Sequence, residues 1–145
     1  MAIAYSGRSK KDVPYAYHPS PAALAPHVDI LVVSAAGGAA TMGLLDRAAI
    51  EALPHGTIFV NVSRGTVVDE AALVDALKSG RIAAAGLDVF LNEPAIDPVF
   101  ATFPNVVLSP HQASGTVETR KDMGALMRRN LEAHFDGRPL PTPVG

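Results

Sequence analysis

The sequence contains no cysteine among its 145 residues, which excludes disulfide frameworks, thiol nucleophiles and cysteine-ligated zinc. It also lacks an excess of either charge, since 12 Lys and Arg stand against 14 Asp and Glu, for a formal net charge of −2. This balance excludes a generally basic nucleic-acid-binding surface, and we expect no nucleic-acid partner. The absence of cysteine fits a cytoplasmic protein.

Long hydrophobic runs are also missing. The most apolar stretch, residues 30–45, follows Asp29, contains three glycines and is too short for a membrane span. The first residues hold no apolar stretch long enough for a signal peptide. We therefore expect a soluble, cytoplasmic chain with no membrane partner. A hydrophobic fraction of 48% with 18% charged residues is typical of one globular domain.

Short apolar runs alternate with helix-like segments along the chain. The runs are continuous rather than alternating, which predicts strands buried on both faces. The predicted strands are residues 2–5, 15–18, 30–33, 57–61, 84–89 and 106–108. Capping residues predict three helices: 22–25 after Ser20-Pro21, 47–53 after Asp46, and 70–79 after Asp69. An apolar stripe that stops at Gly137 predicts a fourth helix over about 116–136. Residues 138–145 are expected to be extended and poorly ordered.

Alternation of strands and helices predicts an α/β fold with a doubly wound parallel sheet. Ligands of such sheets bind at the carboxyl ends of the strands, so the residues that follow each strand are the candidates for chemistry. After the first strand come Arg8 and Ser9, which suit a 2′-phosphate on a dinucleotide ribose. An ordinary solvated basic loop is an equally good interpretation of these two residues.

Three further side chains follow later strands: Arg64, Glu93 and His111. Each alone fits a capping, ion-pair or other structural role. Together they suit reduction of a 2-keto acid, because arginine binds a carboxylate bidentately and histidine donates a proton near neutral pH. A carboxylate beside the histidine stabilises its protonated form and fixes its orientation.

Several motifs resemble those of the D-isomer-specific 2-hydroxyacid dehydrogenases: residues 61–70, 80–90, 92–94 and 108–111. Residues 32–38 and the Ser6-Gly7-Arg8 loop are most similar to the hydroxypyruvate/glyoxylate reductase branch, which commonly uses NADPH. The resemblance implies a Rossmann-like NAD(P)-binding domain. It also implies an oxidoreductase that transfers a hydride between NAD(P)H and a small 2-keto or 2-hydroxy acid.

The same resemblance implies residue roles. Arg64 would bind the substrate carboxylate and carbonyl, His111 would donate the proton, and Glu93 would pair with His111. Asp88 would hold the nicotinamide carboxamide. NADPH is the expected cofactor, with NAD as an alternative, and no metal is expected. The implied cofactor-binding residues are Arg8, Ser9, Ser34, Ala35, Val62, Ser63, Arg64, Asp88, His111 and Ser114.

The sequence departs from the family because it contains no Gly-x-Gly-x-x-Gly segment. We therefore expect only the C-terminal part of such an enzyme: an incomplete dinucleotide-binding domain over residues 1–115, then a helix and tail over 116–145 that would join the substrate domain. The family's first strand is central in its sheet, so its absence predicts a gap between strands 2–5 and 30–33.

This departure leads us to expect that the chain alone is inactive or nearly so. Its expected partners are a small 2-keto acid and either a second copy or the missing N-terminal half. The alternative is a non-catalytic, truncated remnant that acts as a subunit or interaction protein. A transcriptional corepressor, which the family also contains, has no sequence feature in its favour.

Overall fold

A computed structural model describes residues 1–144. Its strands lie close to the predicted ones: β1 (Ala4–Ser6), β2 (Ala16–His18), β3 (Ile30–Val33), β4 (Thr57–Asn61), β5 (Ile82–Leu87) and β6 (Val106–Leu108). The α-helices are α1 (Pro21–Leu24), α2 (Arg47–Glu51), α3 (Glu70–Lys78) and α4 (Val117–Phe135). Short 3₁₀ turns lie at Ala25–His27, Ala39–Thr41, Gly65–Val67 and Pro98–Thr102.

The three predicted N-caps, Ser20, Asp46 and Asp69, all form, and Thr116 caps the last helix in the same way. The side chains of Ser20, Asp46, Asp69 and Thr116 each accept a hydrogen bond from the backbone amide three residues further on. Such a bond satisfies one of the amides that have no partner within the first turn of a helix. The largest strand error is at β5, which begins at Ile82 and ends at Leu87 rather than running from 84 to 89.

The strands form two parallel sheets, one of β1 and β2 and one in the order β3-β4-β5-β6. Among the described residues, β1 pairs only with β2 and β3 pairs only with β4. The predicted gap between these two strands is therefore present. The α/β class and the incomplete parallel sheet are confirmed.

Only one face of the larger sheet is buried. Leu31, Phe59 and Leu87 point into the core, where α2 packs on α3 and α3 packs on β5. The alternate side chains remain exposed, with Val32 at 55% and Val107 at 72%. The prediction of strands buried on both faces is thus wrong for this chain, because the described residues cover one face and leave the apolar pattern of the other uncovered.

The chain divides into two compact units, Met1–His111 and the residues from Gln112 onward. In the second unit the amide of Thr142 donates to the side chain of Asn130, which also donates to the Thr142 hydroxyl. The tail is therefore tied to α4 at this point and not wholly loose, although Gly145 lies outside the described residues. An apolar stripe on α4 is exposed: Met123, Met127, Leu131 and Phe135. No helix within residues 1–144 is long and apolar enough to cross a membrane.

Candidate active site at the strand ends

His111 and Glu93 form the central pair of the candidate site. The Nδ1 atom of His111 lies 2.6 Å from Oε2 of Glu93. Both side chains reach solvent, with exposed fractions of 42% for His111 and 31% for Glu93. Because Nδ1 faces the carboxylate, the other ring nitrogen, Nε2, is the one positioned to exchange a proton with a substrate.

The backbone of His111 is in the left-handed region, with φ of 51°. It is the one non-glycine residue with a positive φ in the described part of the chain. This conformation costs about 1–2 kcal/mol for an L-residue and occurs preferentially at functional sites. The turn after β6 therefore lowers the stability of the fold slightly, and it places the His111 imidazole beside Glu93.

Arg64 follows β4 and is exposed. Its NH1 atom donates to the carbonyl of Ser63 at 2.6 Å, which leaves further donors on Nε and NH2 of the same guanidinium. A Cβ on Gly37 would lie 2.5 Å from Cγ of Arg64, so the loop after β3 packs directly on the arginine stem. The segments that follow β3 and β4 therefore both fix the position of the Arg64 side chain.

The backbone of Phe90 and Leu91 is held by three contacts. The Phe90 amide donates to Oε1 of Glu93 at 2.7 Å, and the Leu91 amide donates to Oε1 of Glu70 at the start of α3. A Cβ on Gly65 would lie 2.0 Å from the Phe90 carbonyl carbon, so only glycine allows this approach. The turn that follows Arg64 therefore packs against the segment that leads to Glu93.

The pKa values of Glu93 and Glu70 are shifted in opposite directions. Partial burial raises the pKa of Glu93, but hydrogen bonds from His111 and Phe90 and the charge of Arg64 outweigh it, so the pKa is below its ordinary value. Burial raises the pKa of Glu70, opposed by the Leu91 amide and reinforced by the charges of Asp97 and Glu93. Glu93 is therefore fully ionised at neutral pH, as a partner of a protonated histidine must be.

We expect Glu70→Gln to raise the free energy of unfolding at pH 7 by up to about 1 kcal/mol. A raised pKa in the folded state means that Glu70 favours folding when protonated and that this advantage is lost as pH rises through that pKa. Glutamine is uncharged and keeps an oxygen for the Leu91 amide. The gain should disappear at pH 3, where Glu70 is almost fully protonated in both states.

Urea unfolding at both pH values measures the effect of Glu70→Gln. Glu118→Gln, on the first turn of α4, is the control and should give no such gain. Lower stability of Glu70→Gln than of the wild type at pH 7 would show that the charged hydrogen bond to Leu91 outweighs the cost of burial.

Further buried or partly buried polar side chains lie at the ends of β4, β5 and β6. Asp88 is buried, and its Oδ1 accepts a hydrogen bond of 2.6 Å from the Ser109 hydroxyl. Ser63, also buried, donates its amide and its hydroxyl to Oδ1 of Asn61. These carboxylate and hydroxyl groups fit an amide-bearing ring such as nicotinamide, which needs an acceptor for its NH₂ group.

The remaining candidates are placed as follows. Arg8 and Ser9 follow β1 and are exposed, while Ser34 and Ala35 follow β3, and Val62 follows β4. Ser114 lies in the second unit, in the turn where the Gly115 amide donates to the Gln112 carbonyl. The structure therefore joins Arg64, Glu93 and His111 through contacts or charge, and it shows no direct contact of Arg8 or Ser9 with them. No group of three or more potential metal ligands occurs within residues 1–144.

Sequence reasoning missed Glu70 and Ser109 as parts of the site. The sequence places Glu70 in a family motif but does not indicate its contact with Leu91, because the two residues are 21 positions apart and no periodic pattern joins them. Ser109 directly follows β6, and its position at a strand end could have marked it as a partner of Asp88.

Parallel strands with polar side chains gathered at their carboxyl ends define a dinucleotide-binding α/β domain. A profile of the "D-isomer specific 2-hydroxyacid dehydrogenase, NAD binding domain" matches residues 1–113. The chain belongs to this family, as its motifs indicate, and the matched domain is of the NAD-binding type.

Relatives of known function are reductases and dehydrogenases. A 2-ketogluconate reductase of Gluconobacter oxydans is 46% identical over 145 residues, which cover 99% of this chain and 47% of the relative. A glyoxylate/hydroxypyruvate reductase A of Arabidopsis thaliana is 46% identical over 140 residues, covering 97% and 45% of the two chains. This chain therefore spans about half the length of the curated relatives that it matches, and it corresponds to their C-terminal part.

Solved structures of reductases and dehydrogenases are also similar to this chain over about half of their length. An NADPH-dependent glyoxylate/hydroxypyruvate reductase of Sinorhizobium meliloti, in complex with NADP and malonate, is 43% identical with a TM-score of 0.92. The match covers 99% of this chain and 46% of that one. A D-mandelate dehydrogenase of Rhodotorula graminis is 31% identical with a TM-score of 0.95, over 100% and 44% of the two chains.

Proposed function

We propose that this chain forms the catalytic half of an enzyme that reduces a small 2-keto acid, of the glyoxylate or hydroxypyruvate type, with NADPH. The observation that carries the proposal is the contact between His111 and Glu93 at 2.6 Å, with the charge of Arg64 acting on the same carboxylate. A proton donor, its anionic partner and a cation for a carboxylate are the groups that this reduction requires.

Each residue of the site has a separate role in the proposed reduction. Nε2 of His111 donates a proton to the substrate oxygen, while Glu93 stabilises the imidazolium through Nδ1. The guanidinium of Arg64 binds the substrate carboxylate and polarises the carbonyl. Asp88, held by Ser109, would accept a hydrogen bond from the carboxamide of the nicotinamide ring, and the bound cofactor supplies the hydride.

NADPH is preferred over NADH in this proposal because of the loop after β1. Arg8 can bind a phosphate through a fork of donors, and Ser9 adds a hydroxyl. Both side chains are exposed at the end of the strand. The 43% identical Sinorhizobium enzyme is itself NADPH-dependent, which supports the proposal.

The described domain provides only part of a cofactor site. No Gly-x-Gly-x-x-Gly segment is present to bind a pyrophosphate at a helix N-terminus. Because positioning contributes several kcal/mol to catalysis, we propose that residues 1–145 alone turn over glyoxylate at or near the background rate. Residues 1–115 would then act as the incomplete dinucleotide-binding domain, and the helix and tail over residues 116–145 as the connection to a substrate domain.

A fusion tests the proposal. The N-terminal half of the Gluconobacter 2-ketogluconate reductase would be joined to residues 1–145, and NADPH oxidation followed with glyoxylate, hydroxypyruvate and 2-ketogluconate. We expect turnover by the fusion and none by either half alone. A fusion that is folded by circular dichroism and inactive on all three acids would favour the non-catalytic alternative. Turnover by residues 1–145 at the fusion's rate would disprove the need for a second half.

A further inference from the structure

Two tyrosines face each other across the small sheet. Tyr5 on β1 and Tyr17 on β2 are register partners, and their ring centroids are 5.3 Å apart. Both side chains are partly buried. The two rings therefore pack against each other on one side of the two-stranded sheet, and both hydroxyls reach the loop that follows β1.

The two hydroxyls bind opposite ends of the loop Gly7–Lys11. The Tyr17 hydroxyl donates to the carbonyl of Gly7 at 3.1 Å. The Tyr5 hydroxyl accepts from the amide of Lys11 at 2.6 Å and donates to the carbonyl of the same residue at 3.2 Å. Three hydrogen bonds thus hold the backbone on both sides of Arg8 and Ser9.

Such a restraint is needed because the loop is difficult to order. Three of its five residues, Arg8, Lys10 and Lys11, are cationic, and all five are exposed. Like charges repel one another and exposed chain has conformational entropy to lose. A loop already held at both ends loses less freedom when an anion binds.

We propose that Tyr5 and Tyr17 are positioning residues that determine cofactor specificity. Their hydroxyls hold the loop in the shape in which Arg8 and Ser9 reach a phosphate monoester on the ribose 2′ position. The proposal rests on the proposed NADPH preference and adds residues that lie outside the phosphate-binding loop itself. The rings alone do not suffice, since only the hydroxyls reach the loop backbone.

Removal of single hydroxyls tests this assignment. Tyr5→Phe and Tyr17→Phe keep the ring pair, and Tyr15→Phe is the control, because Tyr15 is exposed and its hydroxyl makes no hydrogen bond within the described residues. The probes are adenosine 2′,5′-bisphosphate and 5′-AMP, titrated into the fusion described above and followed by NMR chemical shifts. Exchange of the Lys11 amide is measured in the same samples.

We expect Tyr5→Phe and Tyr17→Phe each to weaken binding of the bisphosphate by about threefold to tenfold, the size of one or two hydrogen bonds. Affinity for 5′-AMP should stay unchanged, so the ratio of the two affinities falls, which general loosening of the fold would not cause. The Lys11 amide should exchange faster in Tyr5→Phe. Tyr15→Phe should match the wild type throughout.

Two outcomes separate this inference from the function on which it rests. If the wild-type fusion does not prefer the bisphosphate over 5′-AMP, the NADPH preference is wrong and the inference falls with it. If the wild type does prefer it, but the two variants keep the same ratio or weaken both ligands equally, the tyrosines do not determine specificity. The proposed reduction then stands without them.

Discussion

Replacing His111 by asparagine in the fusion is expected to lower kcat by roughly 10²–10⁴-fold, the usual contribution of a positioned general acid. Asparagine is chosen because it adopts the left-handed backbone more readily than most residues, and His111 has φ of 51°. The substitution therefore removes the proton donor with little change in the turn. Steady-state NADPH oxidation with glyoxylate measures the effect.

His55→Asn is the matched control for this substitution. His55 is exposed and precedes β4, at the end of the strand opposite to Arg64. It should leave kcat unchanged. If His111→Asn retained more than a tenth of the wild-type kcat, another group would have to supply the proton, and the assignment of His111 would be wrong.

Replacing Arg64 by alanine in the same fusion is expected to reduce kcat/KM by roughly 30- to 5,000-fold. This range corresponds to about 2–5 kcal/mol, the cost of removing one partner from a desolvated charge pair. KM for the 2-keto acid should carry much of the loss, because the carboxylate loses its counter-charge. Arg64→Lys should recover only part of it, since lysine keeps the charge and lacks the planar fork.

Guanidinium rescue makes the test of Arg64 specific. Added guanidinium should restore part of the activity of Arg64→Ala, because the space that the side chain leaves beside Gly37 remains. Arg129→Ala, on the exposed surface of α4, should be neutral. An unchanged KM together with no rescue would show that Arg64 supports the structure and does not bind substrate.

Much of the fold could be predicted because its signals are local. Ser20, Asp46 and Asp69 cap helices where the sequence places them, since a cap acts through an amide only three residues away. The strand ends followed from the apolar runs, and they placed Glu93 and His111 at one edge of the sheet. The gap beside β3 followed from the family's strand order.

The rest could not be predicted because it depends on distant contacts. Val32 and Val107 belong to runs that fit a sheet covered on both faces, yet a run of apolar residues does not say which segment covers it. The contact of Glu70 with Leu91 links the start of α3 to the turn that follows β5. The hydroxyls of Tyr5 and Tyr17 reach the loop backbone only because parallel pairing puts the two rings side by side.

Gly65 affects how the site opens as well as how it is built. The turn after Arg64 lies against the Phe90–Leu91 peptide without room for a side chain, and the carboxylates of Glu93 and Glu70 accept from the successive amides of Phe90 and Leu91. Segments that are locked together in this way unfold as one cooperative unit. A local fluctuation that releases the arginine should therefore release the carboxylate of the proton-donating pair as well, so the site passes between competent and open states in a single step.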